Sequence, residues 1–485
     1  MAASFVASLL FWPLYPEGDP VALVGIFSML MALSAGLIVN PYYPALPQFA
    51  AGLFAIQHVF CPMIYYANPE LIQSSFDLTP SFMESFRLSC WASAILTGTI
   101  LTLTIPGTIR GGTHPAEVNL SPSSKRAITR WCWYTWCITT LLSLVMRRIP
   151  FLMLAYIWTL FLTLQMVSMC GLILLLPRKK CTRYVILVLA AHTVAALTSG
   201  MFSRVAIATG VAILFLAHRR HWRGKLAVII LAGALVGTAI QAEKAMYREK
   251  IWGRSSELST LTERLQYWGG RLSDRMTLFL PGIKLEHVWP LVARLNQGRI
   301  VERIVHTVPE YEPYAGGETI VMAVKLVVPR VLWQEKPIYY SLEMFQRYTQ
   351  HELQSHTSMG VGPLGECYLN FGAVGGLAAF AVYSLSIALI SRYWVKVGAA
   401  YPLWWCWYYY IMSYWLRFES DFAKSLNATV KSAFVFVVFV TLSGVWRQAL
   451  GLTRKKSRPV PQPQREDQDA VPAAHASPPR AQASS

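Results

Sequence analysis

Residues 316–372 contain three polar segments between long apolar runs: GGET at 316–319, PRVLWQEKP at 329–337 and GPLGECYLNFG at 362–372. Charged and polar side chains stand here among glycines and prolines, which favour turns over regular helix. A chain that is otherwise apolar has little structural reason to carry such segments. They indicate a site, and the rest of the sequence is interpreted as the scaffold that holds it.

The chain around these segments is strongly apolar. Of its 485 residues, 54% are hydrophobic and only 14% are charged. Apolar runs close to the ~20 residues that cross a bilayer as a helix recur along the sequence. The sequence therefore predicts an all-α fold, a polytopic membrane protein of about twelve transmembrane helices with one large extracytoplasmic loop.

The predicted spans divide the chain into four regions. Residues 1–240 hold the N-terminal transmembrane helices, 241–363 form the large periplasmic loop with amphipathic and re-entrant helices, and 364–447 hold the C-terminal transmembrane helices. Residues 448–485 are rich in Pro, Gln, Ala and Ser, a composition that predicts a disordered cytoplasmic tail. The predicted spans are 3–14, 21–39, 49–66, 82–105, 131–146, 151–176, 184–201, 205–216, 226–240, 369–391, 399–416 and 428–445. Aromatic residues crowd 404–410, which favours a helix near a membrane interface.

The net charge of +18 would favour nucleic acid as the partner of a soluble protein. Here many cations lie in short loops between spans, where Lys and Arg determine orientation, so no nucleic acid is expected. Placing the basic loops at 106–130, 177–183, 218–225 and 392–396 inside puts both termini in the cytoplasm and the large loop outside. Arg147, Arg148 and Arg204 then lie outside, either because the topology differs locally or because they have a purpose there.

Neither the cysteines nor the histidines indicate a metal site or a disulfide framework. The eight cysteines fall mostly inside or beside predicted spans, where cysteine acts as a small apolar core residue. No phosphate-binding Gly-rich loop precedes a Lys-Ser/Thr pair, so ATP-driven work is not predicted. The sequence therefore predicts no metal and no cofactor.

Cations near an exported membrane surface favour an anionic, lipid-linked ligand. A guanidinium stays charged and binds phosphate through two parallel hydrogen bonds, which lysine does less well. The alternative for any one of them is a solvated cation or one that faces lipid headgroups. The candidates for binding such a ligand are Arg204, Arg294, Arg330, Lys336 and Arg417.

Acidic and amide groups supply the candidates for proton transfer and orientation. Glu366 and Asn370 lie near the mouth of a span, where an ionisable group is costly unless it faces a cavity or a partner. A structural Glu–Arg pair is the alternative for Glu366. Residues 417–421, which include Asp421, form a short outer loop that either closes over the same cavity or is a plain turn. The competing candidates for a general base are Glu366, Glu318, Asp421 and His306.

The same segments resemble the O-antigen polymerase (Wzy) and oligosaccharide repeat unit polymerase families of bacterial envelopes. The resemblance rests on Gly317-Glu318, on Pro329-Arg330 followed by Trp333 and Lys336-Pro337, and on Gly365-Glu366-x-Tyr368-x-Asn370-Phe371-Gly372 at the start of a span. Outer-face arginines and one large late outer loop extend it. Gln334 departs from the pattern, since proline is expected after the tryptophan.

The resemblance implies a metal-independent inverting glycosyltransferase in the bacterial inner membrane, with undecaprenyl-pyrophosphate-linked oligosaccharide as donor and acceptor. Arg330 and Arg294 would hold the pyrophosphate, and Glu366 would deprotonate or orient the acceptor hydroxyl. Trp333 and Tyr368 would stack on sugar faces. Residues assigned to substrate binding are Arg204, Glu318, Trp333, Lys336, Tyr368, Asn370, Arg417 and Asp421. Flippase and chain-length regulator proteins are the implied partners besides membrane lipids.

Two other functions fit the same residue classes in part. A ligase that moves finished glycan to another acceptor would use the same arginines and carboxylate. A flippase or transporter for lipid-linked oligosaccharide would show internal repeats and charged or broken helices at mid-membrane. The sequence halves do not match each other, and the candidate residues cluster toward one face.

Overall fold

The computed structural model describes residues 2–72, 79–105, 118, 120–145, 152–222, 224–252, 258–279, 281–329, 332–337, 340–353 and 359–452 of the chain; the side chains of residues 2, 143–145 and 152–163 are not described. Within these ranges the regular structure is helical, and no strand is present. The predicted all-α class is confirmed.

The N-terminal helices are α1 (Ala2–Leu9), α2 (Val21–Val39), α3 (Leu46–Ala67), α4 (Phe82–Thr104), α5 (Pro122–Val145), α6 (Leu152–Leu175), α7 (Arg178–Ser199), α8 (Ser203–Arg220) and α9 (Gly224–Trp252). The later helices are α10 (Leu261–Thr277), α11 (Leu285–Leu295), α12 (Gly298–Thr307), α13 (Glu318–Lys325), α14 (Tyr340–Thr349), α15 (Gly362–Ala400), α16 (Trp404–Met412), α17 (Phe422–Leu442) and α18 (Gly444–Ala449). A π-turn at Ile56–Phe60 interrupts α3.

Seven of the described helices are long and apolar enough to cross a membrane: α2, α3, α4, α7, α9, α15 and α17. Long apolar helices of this kind are typical of a membrane protein. The seven candidates are fewer than the twelve predicted spans. Helix α5, for example, is not among the seven. It carries Lys125, Arg126 and Arg130 near its start, and these charges lower its mean hydropathy.

Two predicted boundaries are wrong. The span predicted over 399–416 contains only the nine-residue helix α16, roughly 14 Å long at 1.5 Å per residue, which is too short to cross a bilayer. Its Trp405, Trp407, Tyr408 and Tyr410 are fully buried in the bundle. The span predicted to end at residue 240 continues as α9 to Trp252.

Helix α15 begins seven residues before the span predicted at 369–391, since it starts at Gly362. Residues 362–370 are all buried, whereas exposed side chains alternate with buried ones after Gly372. Gly372 itself has φ +70 and ψ −166, a conformation outside the helical range, and an added Cβ would lie 3.1 Å from the Tyr314 hydroxyl. The glycine thus separates a protein-embedded first part from an outward-facing second part.

Four of the chain's basic regions meet at one end of the bundle. Asn40 Nδ2 donates to the Trp222 carbonyl at 2.9 Å, and Arg220 Nη2 donates to Thr182 Oγ1 at 2.5 Å. Ser124 Oγ likewise donates to Gln448 Oε1 at 3.0 Å. No Asp or Glu occurs from residue 118 to 242, nor in 391–403 or 440–452. We call this the basic end.

The region predicted as the large loop is built of helices α10 to α14. Thr260 and Glu263 form a capping box that starts α10, and Arg275 Nε donates to the buried Glu243 of α9 at 2.7 Å. Helix α11 packs on α9, and α12 packs between α4 and α15. Helices α10, α11 and α12 all lie within 241–363, the region in which the sequence predicts amphipathic helices. They pack at the end of the bundle opposite the basic end.

Candidate functional site

Residues 417–421, which we call the 417–421 loop, connect α16 to α17. The loop lies between two groups of candidate residues. Phe418 has φ +54, a left-handed conformation that is uncommon for a bulky residue and turns the backbone sharply. Arg417, on one side of this turn, lines a cavity. Asp421, on the other side, is fully buried, and its Oδ1 accepts from the Lys424 N–H at 2.7 Å as the N-cap of α17.

Glu366 lies beside this cap and is 0% exposed. Its Oε2 accepts a hydrogen bond from the backbone N–H of Phe422 at 2.6 Å. Among the described residues no donor reaches its Oε1. Both carboxylates therefore sit at the N-terminus of α17, where the helix dipole favours negative charge. Lys424 Nζ lies 3.4 Å from Asp421 Oδ2 and adds a positive neighbour.

Asn370 joins the GGET segment to the start of α15. Its Oδ1 accepts from the Gly317 N–H at 2.8 Å, and its Nδ2 donates to Thr319 Oγ1 at 2.8 Å. The Gly316 N–H also donates to the Asn370 carbonyl at 3.2 Å. Two of the three polar segments, 316–319 and 362–372, are therefore in contact, as expected if they form one site. Glu318, in the first turn of α13, is exposed at the edge of this contact.

Tyr340, at the start of α14, lies near the acidic residues of this region. Burial raises the pKa of its phenol well above the usual range, and the charges of Glu366 and Glu318 raise it further. Its hydroxyl is thus held in the neutral form at physiological pH. A neutral phenol can still donate a hydrogen bond toward the carboxyl groups of this region.

A cavity of about 270 Å³ lies on the other side of the 417–421 loop. Arg204, at the start of α8, and Arg417 both line it, although they are far apart in sequence. The Arg417 guanidinium stacks 5.1 Å from the centre of the Tyr414 ring, and its Nε has no hydrogen-bond partner among the described residues. The cavity is also lined by Thr140, Gln165, His192 and Ser413. Arg204 lies beside the short turn between these helices, since α7 ends at Ser199 and α8 begins at Ser203.

Arg294 approaches the same loop from α11. Its Nη2 lies 3.6 Å from Glu419 Oε2, and Gln57 Nε2 donates to Glu419 Oε1 at 2.8 Å. The charges of Arg294 and Arg248 both act on Lys244 of α9. Arg248 also donates to the Gly200 carbonyl at 3.0 Å, between α7 and Arg204. Cationic side chains of α9 and α11 therefore lie between the loop and the Gly200 turn beside Arg204.

Three predicted substrate-binding residues have structural contacts instead. Lys336 Nζ donates to the carbonyls of Leu326 and Val328, the latter at 3.0 Å, just beyond the C-terminus of α13. Trp333 packs in an apolar cluster with Ala423 of α17. Tyr368 is buried, and its hydroxyl donates to the Val308 carbonyl at 3.3 Å. No ring face of Tyr368 is open to a sugar in this arrangement. Arg330 lies outside the described residues.

Glu366 has a partner within the fold, because its buried side chain accepts from the Phe422 N–H, and it does not line the cavity that holds the two arginines. It contacts the first residue of α17 and thereby fixes one end of the 417–421 loop. Asp421 fixes the same end of the loop through its cap of α17.

Several residues at the site escaped the sequence argument: Gln57, Gln165, His192, Lys244 and Arg248. Gln57, Gln165 and His192 lie inside predicted spans, whereas Lys244 and Arg248 lie in the polar end of α9, beyond the span predicted to end at residue 240. A signal was present, because polar and ionisable residues within a span are costly and face a cavity or a partner. The π-turn that contains Gln57 has no comparable signature in the sequence.

Gly362 gives a direct test of how tightly the loop is held. The residue has φ +70, and an added Cβ would lie 2.9 Å from the Phe418 carbonyl oxygen. We expect Gly362→Ala to lower the free energy of unfolding by roughly 1–3 kcal/mol, from backbone strain and displacement of the 417–421 loop. The loss of stability is measured by thermal unfolding of the purified protein in detergent.

Gly98→Ala is the matched control, because nothing lies within 4 Å of the added Cβ in the middle of α4. This change should be neutral or stabilising by up to ~1 kcal/mol. Equal stability of the two variants would contradict the close contact between Gly362 and the loop.

In the described part of the chain, no group of three or more His, Cys, Asp or Glu residues is arranged to hold a metal ion. A family model described as domain of unknown function (DUF8712) matches residues 84–438, which is most of the chain. The chain belongs to this family. No curated protein and no solved structure matches it. The matched range includes the 417–421 loop, the two cavity arginines and Glu366, whereas α2 and α3 lie outside it.

Proposed function

We propose that this protein polymerises oligosaccharide repeat units, carried on undecaprenyl pyrophosphate, into a surface polysaccharide at the outer face of the bacterial inner membrane. One observation carries the proposal: Arg204 and Arg417, from separate helical hairpins, line one cavity at the bundle end opposite the basic loops. Two guanidiniums in one cavity suit a ligand with two or more negative charges, such as a pyrophosphate. The resemblance of the polar segments to repeat-unit polymerases supports the same reaction.

The charge distribution supports the proposed orientation. The basic end contains many Lys and Arg residues, and its described stretches contain no carboxylate. Short loops with this bias remain in the cytoplasm. The cavity, the 417–421 loop and helices α10 to α14 would then face the periplasm. Lipid-linked repeat units are available to a polymerase on that side once they have been flipped.

The arginines have a direct role in the proposed chemistry. The acceptor hydroxyl oxygen attacks the anomeric carbon of the donor sugar, and the bond between that carbon and the pyrophosphate oxygen breaks. The electron pair leaves with the pyrophosphate, whose growing charge Arg204 and Arg417 stabilise. The hydroxyl proton passes to a base or to water. The positive field of Arg294, Lys244 and Arg248 draws the anionic lipid headgroup toward the cavity.

The test is reconstitution. The purified protein is placed in vesicles with lipid-linked repeat units from its host, without nucleotide sugar, and the products are separated by length on a gel. We expect a ladder of lengthened chains, while protein-free vesicles keep single units. Movement of units across the bilayer without lengthening would instead identify a transporter. Transfer of single units to a different acceptor, with no ladder, would identify a ligase.

A further inference from the structure

The cavity continues from its two arginines into the interior of the helical bundle. Gln165 lines it from α6, roughly 20 Å along the helix from Leu152 at 1.5 Å per residue. The Gln165 side chain is 7% exposed in total, and its Nε2 donates to Thr140 Oγ1 of α5 at 2.6 Å. A glutamine held at this depth is costly unless its polar atoms are used.

The Gln165 and His192 side chains supply the cavity wall with hydrogen-bond acceptors. His192 Nδ1 lies 2.8 Å from the Val188 carbonyl, which can only accept, so Nδ1 carries the proton and Nε2 is an acceptor. Among the described residues, the Gln165 amide bonds through Nε2 and the His192 ring through Nδ1, so the Gln165 Oε1 and the His192 Nε2 remain available to a ligand. Both residues line the same cavity, together with the hydroxyl-bearing Ser413.

The polar groups of the cavity wall limit the kinds of ligand that can bind. Acceptors inside a bundle favour a ligand rich in hydroxyl donors, whereas the guanidiniums at the mouth favour an anion. At about 270 Å³, the cavity lies near the lower limit of small-molecule sites, which is too small for an oligosaccharide and suits a single ring. A sugar attached to phosphate fits this arrangement. Its hydroxyl groups can donate to the acceptors inside the bundle, while the phosphate lies at the arginines of the mouth.

We propose that the cavity binds the sugar unit directly attached to the pyrophosphate, with Gln165 and His192 accepting hydrogen bonds from its hydroxyls below Arg204 and Arg417. This inference rests on the proposed function and names the part of the substrate that the bundle recognises. Gln165 and His192 would thus determine which first sugar is accepted.

Two lipid probes test this: undecaprenyl pyrophosphate without sugar, and the complete lipid-linked repeat unit from the native host. Binding of each to the full-length protein in nanodiscs is measured by microscale thermophoresis. Wild type should bind the complete lipid more tightly. Gln165→Leu and His192→Phe should each weaken binding of the complete lipid by about tenfold, as expected for one lost hydrogen bond in a closed site, and leave binding of the bare lipid unchanged.

Two control variants distinguish loss of sugar recognition from loss of folding. His192→Gln keeps a hydrogen-bond acceptor and should retain most of the affinity for the complete lipid. Gln48→Leu removes a buried glutamine whose amide donates to Tyr43 and Thr104 elsewhere in the bundle, and should leave both affinities unchanged. Equal affinity of wild type for the two lipids, or an equal loss for both lipids in Gln165→Leu, would overturn the inference while leaving the proposed function intact. Binding of neither lipid by wild type would overturn both.

Discussion

Replacement of Arg417 by alanine is expected to reduce chain lengthening by about 10²–10³-fold, the usual cost of removing one preorganised donor to a charge that develops in the transition state. Arg417 occupies the cavity wall, and the Tyr414 ring fixes its guanidinium plane at 5.1 Å. Arg417→Lys keeps the charge but loses the planar, two-pronged geometry and the stacking, so it should restore only part of the activity. The rate is read from the gel ladder in the reconstituted vesicles.

Arg392→Ala is the matched control, because Arg392 is an exposed arginine of α15 in a stretch near the basic end. It should polymerise at the wild-type rate. Gel filtration of all variants must show the same folded species. A folded Arg417→Ala protein that polymerises normally would exclude the cavity as the pyrophosphate site.

Replacement of Glu366 by alanine is the second change with a large expected effect, and it acts on the fold. The Phe422 N–H would lose its acceptor while buried, which costs about 1–3 kcal/mol, and the removed side chain would leave a void. The 417–421 loop would lose the contact that fixes its α17 end. We expect a lower thermal unfolding temperature together with loss of polymerisation.

Glu366→Gln distinguishes positioning from proton transfer. The amide oxygen of glutamine can still accept from the Phe422 N–H, so the loop should remain in place and most activity should survive. A variant that folds as wild type but no longer polymerises would instead show that the carboxylate itself takes part, as a base toward the acceptor hydroxyl. Lys424→Met, which removes only the charge beside Asp421, serves as the neighbouring control.

The sequence predicted the class of structure because apolar content and run length are local properties. It also predicted residues that the fold brings together, such as Glu366 with Asp421 and Arg204 with Arg417. The physical reason is the same in each case. Polar groups at the ends of apolar helices are costly unless they share a cavity or a partner, so candidates found separately tend to meet.

The remaining features depend on tertiary contacts that no short segment encodes. The motif tryptophan, Trp333, packs against α17, and Lys336 binds the carbonyls after α13, so both stabilise the segment that carries them. The aromatic residues of 404–410 have a composition typical of a membrane interface, yet α16 buries four of them fully. Which face of a short aromatic helix meets protein and which meets lipid depends on neighbours distant in sequence.

The kink at Gly372 makes the protein sensitive to bilayer thickness. After this residue α15 would extend roughly 42 Å at 1.5 Å per residue, close to the ~40–45 Å of a membrane with its headgroup layers. Asn370, about half a turn before the kink, and Glu366, nearly two turns before it, would then lie at the outer headgroup boundary. A lipid with longer acyl chains would raise that boundary toward the 417–421 loop and tilt the helix to relieve the hydrophobic mismatch. Acyl-chain length should therefore alter the rate of the proposed polymerisation even when no residue is changed.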